Sequence, residues 1–280
     1  MSDPTIGIAF GGGGARGLAH IHVIQALNEL GIKPVAISGT SIGALIGSGM
    51  ASGMSGLDVR DYVLGIFDNP AQVASRFWKM RPDSIAEVWN GPKTLIGNID
   101  SKRAMRAFLP EQVKSDFSQL EIDFQVVATD FYGQKEVVIT RGNVSDAIAA
   151  SIALPAVFRP VKRNGAALVD GGIVNSLPYE LLFDKADLVV AIDVVGGPMP
   201  SKGEEPSRME ALSGASQLMM QTATRLKCEV RPPHAMIVPP VNGIAVLDFM
   251  RAKSILETTA STLEVTKKKI SAAISEFQKS

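Results

Sequence analysis

Ser41 is the central residue of a G-x-S-x-G pattern that spans residues 39–43. A short apolar run, Val35–Ser38, precedes the pattern and predicts a buried strand, and the sequence from Ile42 to about Met50 predicts a helix. A tight turn between a strand and a helix lifts the serine oxygen off the end of a sheet, and small flanking residues let the two elements approach closely. The position of Ser41 therefore indicates a nucleophilic serine, against the plainer alternative of an ordinary strand-to-helix turn.

A second glycine-rich turn, residues 11–17, also lies between a predicted strand and a predicted helix. Consecutive glycines let the backbone approach a ligand and leave N–H groups free to bind an anion. Gly12, Gly14 and Gly17 match the dinucleotide-binding fingerprint, but no acidic residue ends the next strand to hold a ribose, and the lysine of a phosphate-binding P-loop is absent. Because Ser41 follows on the next strand, the favoured interpretation is an oxyanion hole.

A serine hydroxyl is a poor nucleophile unless a neighbouring group accepts its proton, and several side chains are candidates for that base. His20 and His22 lie inside the first predicted helix. His234 lies late in the chain, where the histidine of a triad could fall, although an ordinary loop histidine is the plainer interpretation. Three carboxylates lie at or near the ends of predicted strands: Asp130, Asp170 and Asp193. Spacing alone does not choose among these groups.

Short apolar runs alternate with helical patterns along the chain, which predicts an α/β fold with a mostly parallel central sheet flanked by helices. The first unit is a strand over Ile6–Phe10, a helix to about Leu30 with a cap at Gly31, and the strand that precedes Ser41. Further strands are predicted at residues 124–129, 136–140, 166–169, 188–194 and 235–238. Further helices are predicted at residues 102–108, 144–152, 207–226 and 247–277.

The 280 residues suffice for one large α/β domain and contain no internal repeat. We predict a single domain with a core over residues 6–200, an insertion over 55–120 above the sheet, and a helical tail over 205–280. The insertion differs from its surroundings by its prolines, glycines and scattered aromatic residues, which are Phe67, Phe77, Trp78 and Trp89. These aromatic residues and the pair Met219-Met220 could line an acyl channel or pack in the core.

Composition excludes several classes of function. The 28 basic and 28 acidic residues balance, so no global field attracts nucleic acid. The single cysteine, Cys228, allows no intrachain disulfide and no zinc site built on several thiolates. No secretory leader precedes the first strand and the apolar stretches are shorter than the ~18 residues that span a bilayer, so we predict a cytoplasmic protein, at most peripheral at a membrane. The run Lys267–Lys269 could contact anionic lipid, although a solvated helix face is the plainer interpretation.

Three blocks of the sequence resemble the patatin-like phospholipase family, in particular its bacterial-type members: residues 11–17, residues 39–43 and the Asp-Gly-Gly of residues 170–172. The segment Ala150–Val161 is also similar to that family, and the resemblance covers roughly residues 6–194. It implies a three-layer patatin-like fold. It also implies a dyad of Ser41 and Asp170 in place of a triad, with Asp170 as the base.

The resemblance further implies a lipid acyl hydrolase that acts on phospholipid or lysophospholipid esters, with the amides of Gly12, Gly13 and Gly14 binding the oxyanion. It implies no cofactor and no metal, so calcium is not expected. Arg16 could fix the glycine turn or contact the phosphate of a phospholipid, and the structural role is the preferred interpretation. Two alternatives are a soluble esterase or thioesterase for short acyl chains and a non-catalytic module that binds nucleotide or lipid.

Overall fold

The computed structural model of the chain describes residues 3–79, 99–199 and 205–279. Its strands are β1 (Ile6–Phe10), β2 (Ala36–Thr40), β3 (Asp123–Asp130), β4 (Lys135–Ile139), β5 (Val161–Arg163), β6 (Ala166–Asp170), β7 (Leu188–Ile192) and β8 (Ala235–Ile237). Within the described residues these eight strands form one sheet in the order β5-β6-β3-β2-β1-β7-β8, and β4 pairs with β3. Neighbouring strands are parallel in the run β3-β2-β1-β7-β8. The pairs that involve β4, β5 or β6 are antiparallel. The predicted mostly parallel α/β sheet is confirmed.

The helices are α1 (His20–Glu29), α2 (Ile42–Ala51), α3 (Gly56–Phe67), α4 (Pro70–Lys79), α5 (Ser101–Phe108), α6 (Val144–Ser151), α7 (Arg208–Val230), α8 (Ala252–Thr258) and α9 (Thr262–Phe277). A 3-10 turn over Gly14–Ala19 leads into α1. Gly31 follows α1 with a φ of 68°, a left-handed conformation that confirms the predicted cap. Across the described ranges, no helix combines the length and apolarity that a bilayer crossing requires.

The two faces of the sheet pack into different layers. Ile8 and Phe10 of β1 belong to the large core that includes α1 and α2. The small residues of the other face pack against the segment that follows Ser176 and form a second cluster with it. The members of this cluster are Ala9, Ala36, Val189, Ala191, Leu177, Tyr179 and Leu182. The Tyr179 hydroxyl donates to the carbonyl oxygen of Arg231 at 2.9 Å, directly after α7. Helices α1 and α2, the sheet, and the segment covered by α7 therefore make three layers, as predicted.

Strands β2 and β6 meet end to end along β3. β2 pairs in parallel with the first part of β3, where Thr40 lies opposite Val127. β6 pairs antiparallel with the last part of β3, where Asp170 lies opposite Ala128. Ser41, the residue after β2, and Asp170, the last residue of β6, are thereby brought together at the edge where the parallel strands end.

The insertion over residues 55–120 contains two helices that its irregular pattern did not predict, α3 and α4. Helix α3 begins at a capping box in which the Ser55 hydroxyl accepts the N–H of Asp58 and the Asp58 carboxylate accepts the N–H of Ser55. Residues 80–98, which include Trp89, lie outside the described residues. The described parts of the insertion are therefore more helical than its prolines and glycines suggest.

The prediction of one helix over residues 247–277 is wrong. After a 3-10 turn at Phe249–Arg251 there are two helices, α8 and α9, separated by Thr259–Ser261. The Thr259 hydroxyl donates to the Ile255 carbonyl oxygen at 2.8 Å, a local bond of the kind that competes with regular helix continuation. Apolar spacing continues across this break, so periodicity alone could not detect it.

Candidate active site

Ser41 occupies the turn between β2 and α2 with φ 54° and ψ −121°. Residues with a side chain rarely adopt such a conformation, which costs about 1–3 kcal/mol. The turn also requires small neighbours, because a Cβ on Gly39 would lie 2.8 Å from the Ala44 nitrogen and a Cβ on Gly43 would collide with the Phe10 carbonyl oxygen. The strand, tight turn and helix predicted around Ser41 are present in the fold.

We expect Gly43→Ala to lower the free energy of unfolding by about 2 kcal/mol or more, because the added methyl group and the Phe10 carbonyl cannot both keep their positions. Gly65→Ala is the matched control: Gly65 is exposed in α3, and an added Cβ would have no atom within 4 Å. There alanine should raise the free energy of unfolding by about 0.5–1 kcal/mol. Denaturation by guanidinium chloride measures both. Equal effects would contradict the close approach of β1 to α2.

The Ser41 hydroxyl donates a hydrogen bond of 2.7 Å to Asp170 Oδ2. The second carboxylate oxygen, Oδ1, accepts the N–H of Gly172 at 2.7 Å. Asp170 is only 6% exposed, and this burial raises its pKa to about 6, against the opposing effect of the bonds from Ser41 and Gly172. A carboxylate with this pKa accepts a proton more readily than an exposed one and is still mostly ionised at pH 7.

The glycine-rich turn passes beside Ser41, since a Cβ on Gly12 would lie 3.4 Å from the Ser41 Cβ. The Gly12 N–H is already engaged, because it donates to the Ser176 carbonyl oxygen at 2.8 Å. The N–H groups of Gly13 and Gly14 have no hydrogen-bond acceptor among the described residues. Of the three amides expected to bind an oxyanion, that of Gly12 is therefore engaged elsewhere, and those of Gly13 and Gly14 stay predicted.

Ser151, the last residue of α6, belongs to the site although no pattern in the sequence predicts a role for it. Its buried hydroxyl accepts the N–H of Ser41 at 2.8 Å and donates to the Val127 carbonyl oxygen at 2.6 Å. This side chain therefore holds the Ser41 backbone in its unusual conformation. The only signal in the sequence is a hydroxyl residue at a helix end, which is common in proteins.

We expect Ser151→Ala to lower the free energy of unfolding by about 2 kcal/mol, because the Ser41 N–H and the Val127 carbonyl oxygen both lose a buried partner. Turnover of an acyl ester should fall as well, since the turn no longer fixes the Ser41 hydroxyl. Ser48→Ala is the control, because Ser48 bonds only the Leu45 carbonyl oxygen of its own helix. Thermal unfolding and kcat are the measurements. A Ser151→Ala protein with unchanged kcat would contradict this role.

The segment Asn175–Pro178 joins the glycine turn to β2. Its carbonyl oxygens accept hydrogen bonds of 2.8–2.9 Å from Thr40 Oγ1, the Gly12 N–H and Ser38 Oγ. A further bond of 2.8 Å comes from Lys227 Nζ of α7. One short stretch of chain therefore fixes the turns on both sides of Ser41.

Arg16 is part of the framework of the glycine turn. Its Nε donates to the Ile244 carbonyl oxygen at 2.6 Å, and a second guanidinium nitrogen donates to the Val195 carbonyl oxygen. The guanidinium also donates to the side-chain oxygen of Gln217, in the Gln217 amide orientation that satisfies both its oxygen and its nitrogen. Arg16 is buried, and this burial lowers its pKa. These contacts give Arg16 the structural role that was the preferred interpretation, and they direct its guanidinium to protein oxygens and not to a substrate phosphate.

Two of the histidines are structural. His20 Nε2 donates to the Gly11 carbonyl oxygen at 2.8 Å, and burial lowers the His20 pKa to about 4, so the ring is neutral. His22 Nε2 donates to the Leu256 carbonyl oxygen at 2.9 Å, which ties α1 to α8. Neither ring is hydrogen-bonded to Ser41.

The other two candidate carboxylates, Asp130 and Asp193, accept backbone N–H groups of the loops that directly follow them. Asp130 Oδ1 accepts the N–H of Gly133 at 3.0 Å and so closes the turn between β3 and β4. Asp193 Oδ1 accepts the N–H of Val195 at 2.9 Å, and burial raises the pKa of Asp193. Among the described carboxylates, Asp170 alone is hydrogen-bonded to Ser41.

Whereas Ser41 lies at the carboxyl ends of the parallel strands, His234 lies near their amino ends. Its Nδ1 accepts the N–H of Val189 at 2.9 Å, near the amino end of β7. We therefore expect His234→Gln to keep the wild-type kcat/KM for an acyl ester, because the ring takes no part in the chemistry. Steady-state kinetics on the folded variant measures this. Loss of turnover without loss of fold would mean that Asp170 is not the base.

The chain matches the family model of the patatin-like phospholipases over residues 8–183, a range that contains both glycine turns, Ser41 and Asp170. The chain belongs to this family. It is 34% identical over 208 residues to an uncharacterised NTE family protein of Mycobacterium tuberculosis, a match that covers 74% of this chain and 54% of that one. It is 31% identical over 199 residues to the lysophospholipase NTE1 of Saccharomyces cerevisiae, with 69% of this chain and 11% of that one covered. The chain spans about half the length, or less, of these curated relatives.

Solved structures with a similar arrangement include VipD from Legionella pneumophila, with a TM-score of 0.49 at 15% identity over 95% of this chain and 67% of that one. Human GIVD cytosolic phospholipase A2 gives a TM-score of 0.44 at 13% identity over 98% of this chain and 59% of that one.

Proposed function

We propose that this chain hydrolyses fatty-acyl esters of phospholipids or lysophospholipids, with Ser41 as the nucleophile and Asp170 as the base. The observation that carries the proposal is the 2.7 Å hydrogen bond from the Ser41 hydroxyl to the buried Asp170 carboxylate. Membership of the patatin-like phospholipase family supports a lipid ester as the substrate. The name of the similar yeast protein, a lysophospholipase, supports the same class.

In the acylation step, Ser41 Oγ attacks the ester carbonyl carbon while its proton passes to Asp170. The negative charge that develops on the carbonyl oxygen is stabilised by the free N–H groups of Gly13 and Gly14. When the tetrahedral intermediate collapses, the bond to the alcohol breaks and Asp170 returns the proton to the leaving oxygen. The products of this step are an acyl-Ser41 ester and a free alcohol.

In the deacylation step, Asp170 takes a proton from water as the water oxygen attacks the acyl-Ser41 carbonyl. The same two amides stabilise the second oxyanion. The bond to Ser41 Oγ then breaks, the proton returns to Ser41, and the fatty acid leaves. Asp170 ends the cycle ionised and ready for the next substrate.

Labelling with a fluorophosphonate tests the proposal, because this reagent forms a stable adduct only with an activated serine. We expect one adduct per chain, and fragment-ion mass spectrometry should place it on Ser41. The nearby buried serines Ser38 and Ser48 serve as internal controls. No adduct, or an adduct on another serine, contradicts the proposal.

The same preparation distinguishes the two alternative functions. A series of nitrophenyl esters of increasing chain length, measured beside fatty-acid release from phospholipid vesicles, separates a lipid hydrolase from an esterase for short chains. Thermal stabilisation by a nucleotide, in a protein that forms no adduct, would instead indicate a binding module.

A further inference from the structure

Helix α7 directs polar residues toward the protein and apolar residues toward solvent. Its buried positions include Gly214, Gln217 and Thr224. By contrast, Leu212 is 65% exposed and Met219 is 66% exposed. This is the reverse of an ordinary surface helix, whose apolar stripe packs against the core.

Polar contacts hold the inner side of α7 in place. Gln217 accepts from the Arg16 guanidinium, and Gln221 Nε2 donates to the Gly196 carbonyl oxygen at 2.9 Å. The Thr224 hydroxyl is hydrogen-bonded to that of Ser176 at 3.3 Å. The orientation of the helix is therefore fixed by specific bonds to the segments around Ser41, and its apolar side faces outward.

The outer face of α7 carries six exposed apolar residues, with the exposed hydroxyl residues Ser216 and Thr222 between them. The six are Leu212, Ala215, Leu218, Met219, Ala223 and Leu226. Leu212, Met219 and Leu226 are seven residues apart and therefore form one stripe along the helix. No charged residue occurs from Ala211 to Thr224. Contiguous apolar surface of this kind on a folded protein marks a place of contact.

Helix α7 passes beside the segment that follows Asp170. Met220, on the same helix, has its sulfur 3.5 Å from the position of a Cβ on Gly172, two residues after Asp170. Exposed apolar side chains from three other segments lie after strands that end at this edge of the sheet, and they are Phe131, Tyr132, Ile173, Val174, Leu247 and Met250.

We propose that the outer face of α7 is the surface with which this protein docks on the uncharged, zwitterionic surface of a lipid bilayer or micelle. This inference rests on the proposed function, because it supplies the route by which an acyl ester reaches Ser41. This occupant fits the chemistry of the face, because no charged residue occurs from Ala211 to Thr224 and a zwitterionic surface presents no net charge to pair. A second copy of the chain is an outcome that the test distinguishes.

Attraction to anionic lipid does not carry the docking. Of the basic run Lys267–Lys269, Lys267 pairs with Glu29 and Glu264, and Lys269 Nζ donates to the Met236 carbonyl oxygen at 2.6 Å. The binding is therefore apolar, and it should persist at high salt and on vesicles of phosphatidylcholine alone.

The test is flotation of the Ser41→Ala protein with phosphatidylcholine vesicles, so that binding is measured without hydrolysis. The combined substitution Leu212→Gln, Met219→Gln and Leu226→Gln should weaken vesicle binding by about a thousandfold, because each buried Leu or Met side chain contributes about tenfold. The matched control replaces three exposed apolar residues outside α7 by glutamine and should bind as before; these are Val35, Leu57 and Val265. Circular dichroism and thermal melting establish that both triple variants are folded.

Three results would overturn the docking surface. The first is equal vesicle binding by the α7 variant and its Ser41→Ala parent. The second is binding that requires anionic lipid and disappears at high salt. The third is a dimer of the parent that the α7 variant converts to a monomer, by light scattering, with vesicle binding unchanged. Fluorophosphonate labelling of the wild-type protein is a separate readout. A wild-type protein that takes no label, while its Ser41→Ala variant still floats, would contradict the proposed function and leave the docking surface standing.

Discussion

Asp170→Asn should reduce kcat/KM for an acyl ester by about 10³-fold, because an amide cannot accept the Ser41 proton. The fold should survive, since an asparagine oxygen can still accept the Gly172 N–H that Asp170 Oδ1 accepts at 2.7 Å. We also expect the variant to be more stable than the wild type near neutral pH, by about 1–3 kcal/mol, because a buried group no longer has to carry charge. Ester hydrolysis and thermal unfolding measure the two effects.

The pH dependence follows from the Asp170 pKa of about 6. The base must be ionised to act, so kcat/KM should rise with pH through about 6 and then level off. The stability changes in the opposite direction. Because the folded-state pKa lies above the ordinary value of about 3.9, the contribution of Asp170 to stability is present below pH ~4 and is lost as pH rises through the folded-state pKa. The stability advantage of Asp170→Asn should therefore be small near pH 4 and large near pH 8.

Asp193→Asn is the matched control, because Asp193 is another carboxyl whose pKa is raised by burial. It should keep the activity and the lower limb of the pH profile. A wild-type rate in Asp170→Asn, or a pH profile that follows Asp193 instead, would remove Asp170 from the mechanism.

Ser41→Ala and Ser41→Gly should both abolish fluorophosphonate labelling and lower turnover by about 10⁴-fold or more, because each removes the attacking oxygen. The two variants should differ in stability. Ser41 has φ 54° and ψ −121°, a conformation that glycine adopts without the strain that a Cβ introduces. We therefore expect Ser41→Gly to be about 1–2 kcal/mol more stable than Ser41→Ala.

Denaturation of the two variants under the same conditions measures this difference, and the Ala variant controls for loss of the hydroxyl. Equal stabilities would mean that the turn does not strain Ser41. Retained turnover in either variant would exclude Ser41 as the nucleophile.

The parts of this fold that sequence could predict are those set by local patterns. The runs Ile6–Phe10 and Leu188–Ile192 are buried along their whole length and predict parallel strands, as the sheet confirms. The Gly31 cap and the turn at Ser41 were likewise predictable, since each depends on residues that are adjacent in the chain. The break at Thr259 was not, because the apolar spacing does not change there.

The site depends on contacts that no local pattern contains. Position in the sequence left His234 and three aspartates as candidates for the base, and resemblance to a family, not geometry, singled out Asp170. Ser151 and Ser41 are 110 positions apart in the sequence, so their contact can be recognised only in the folded structure. Arg16 looked free to meet a phosphate because its acceptors, at Ile244 and Val195, are backbone carbonyls distant in sequence.

The segment Asn175–Pro178 has a consequence for how this protein loses activity. Its carbonyls hold Gly12, Thr40 and Ser38 together, so the turns around Ser41 cannot open without breaking the end of the central sheet. We therefore expect amide hydrogen exchange at Gly12 and Ser41 to require global unfolding. The candidate site should show no melting transition of its own, and inactivation by heat or denaturant should coincide with loss of the fold itself.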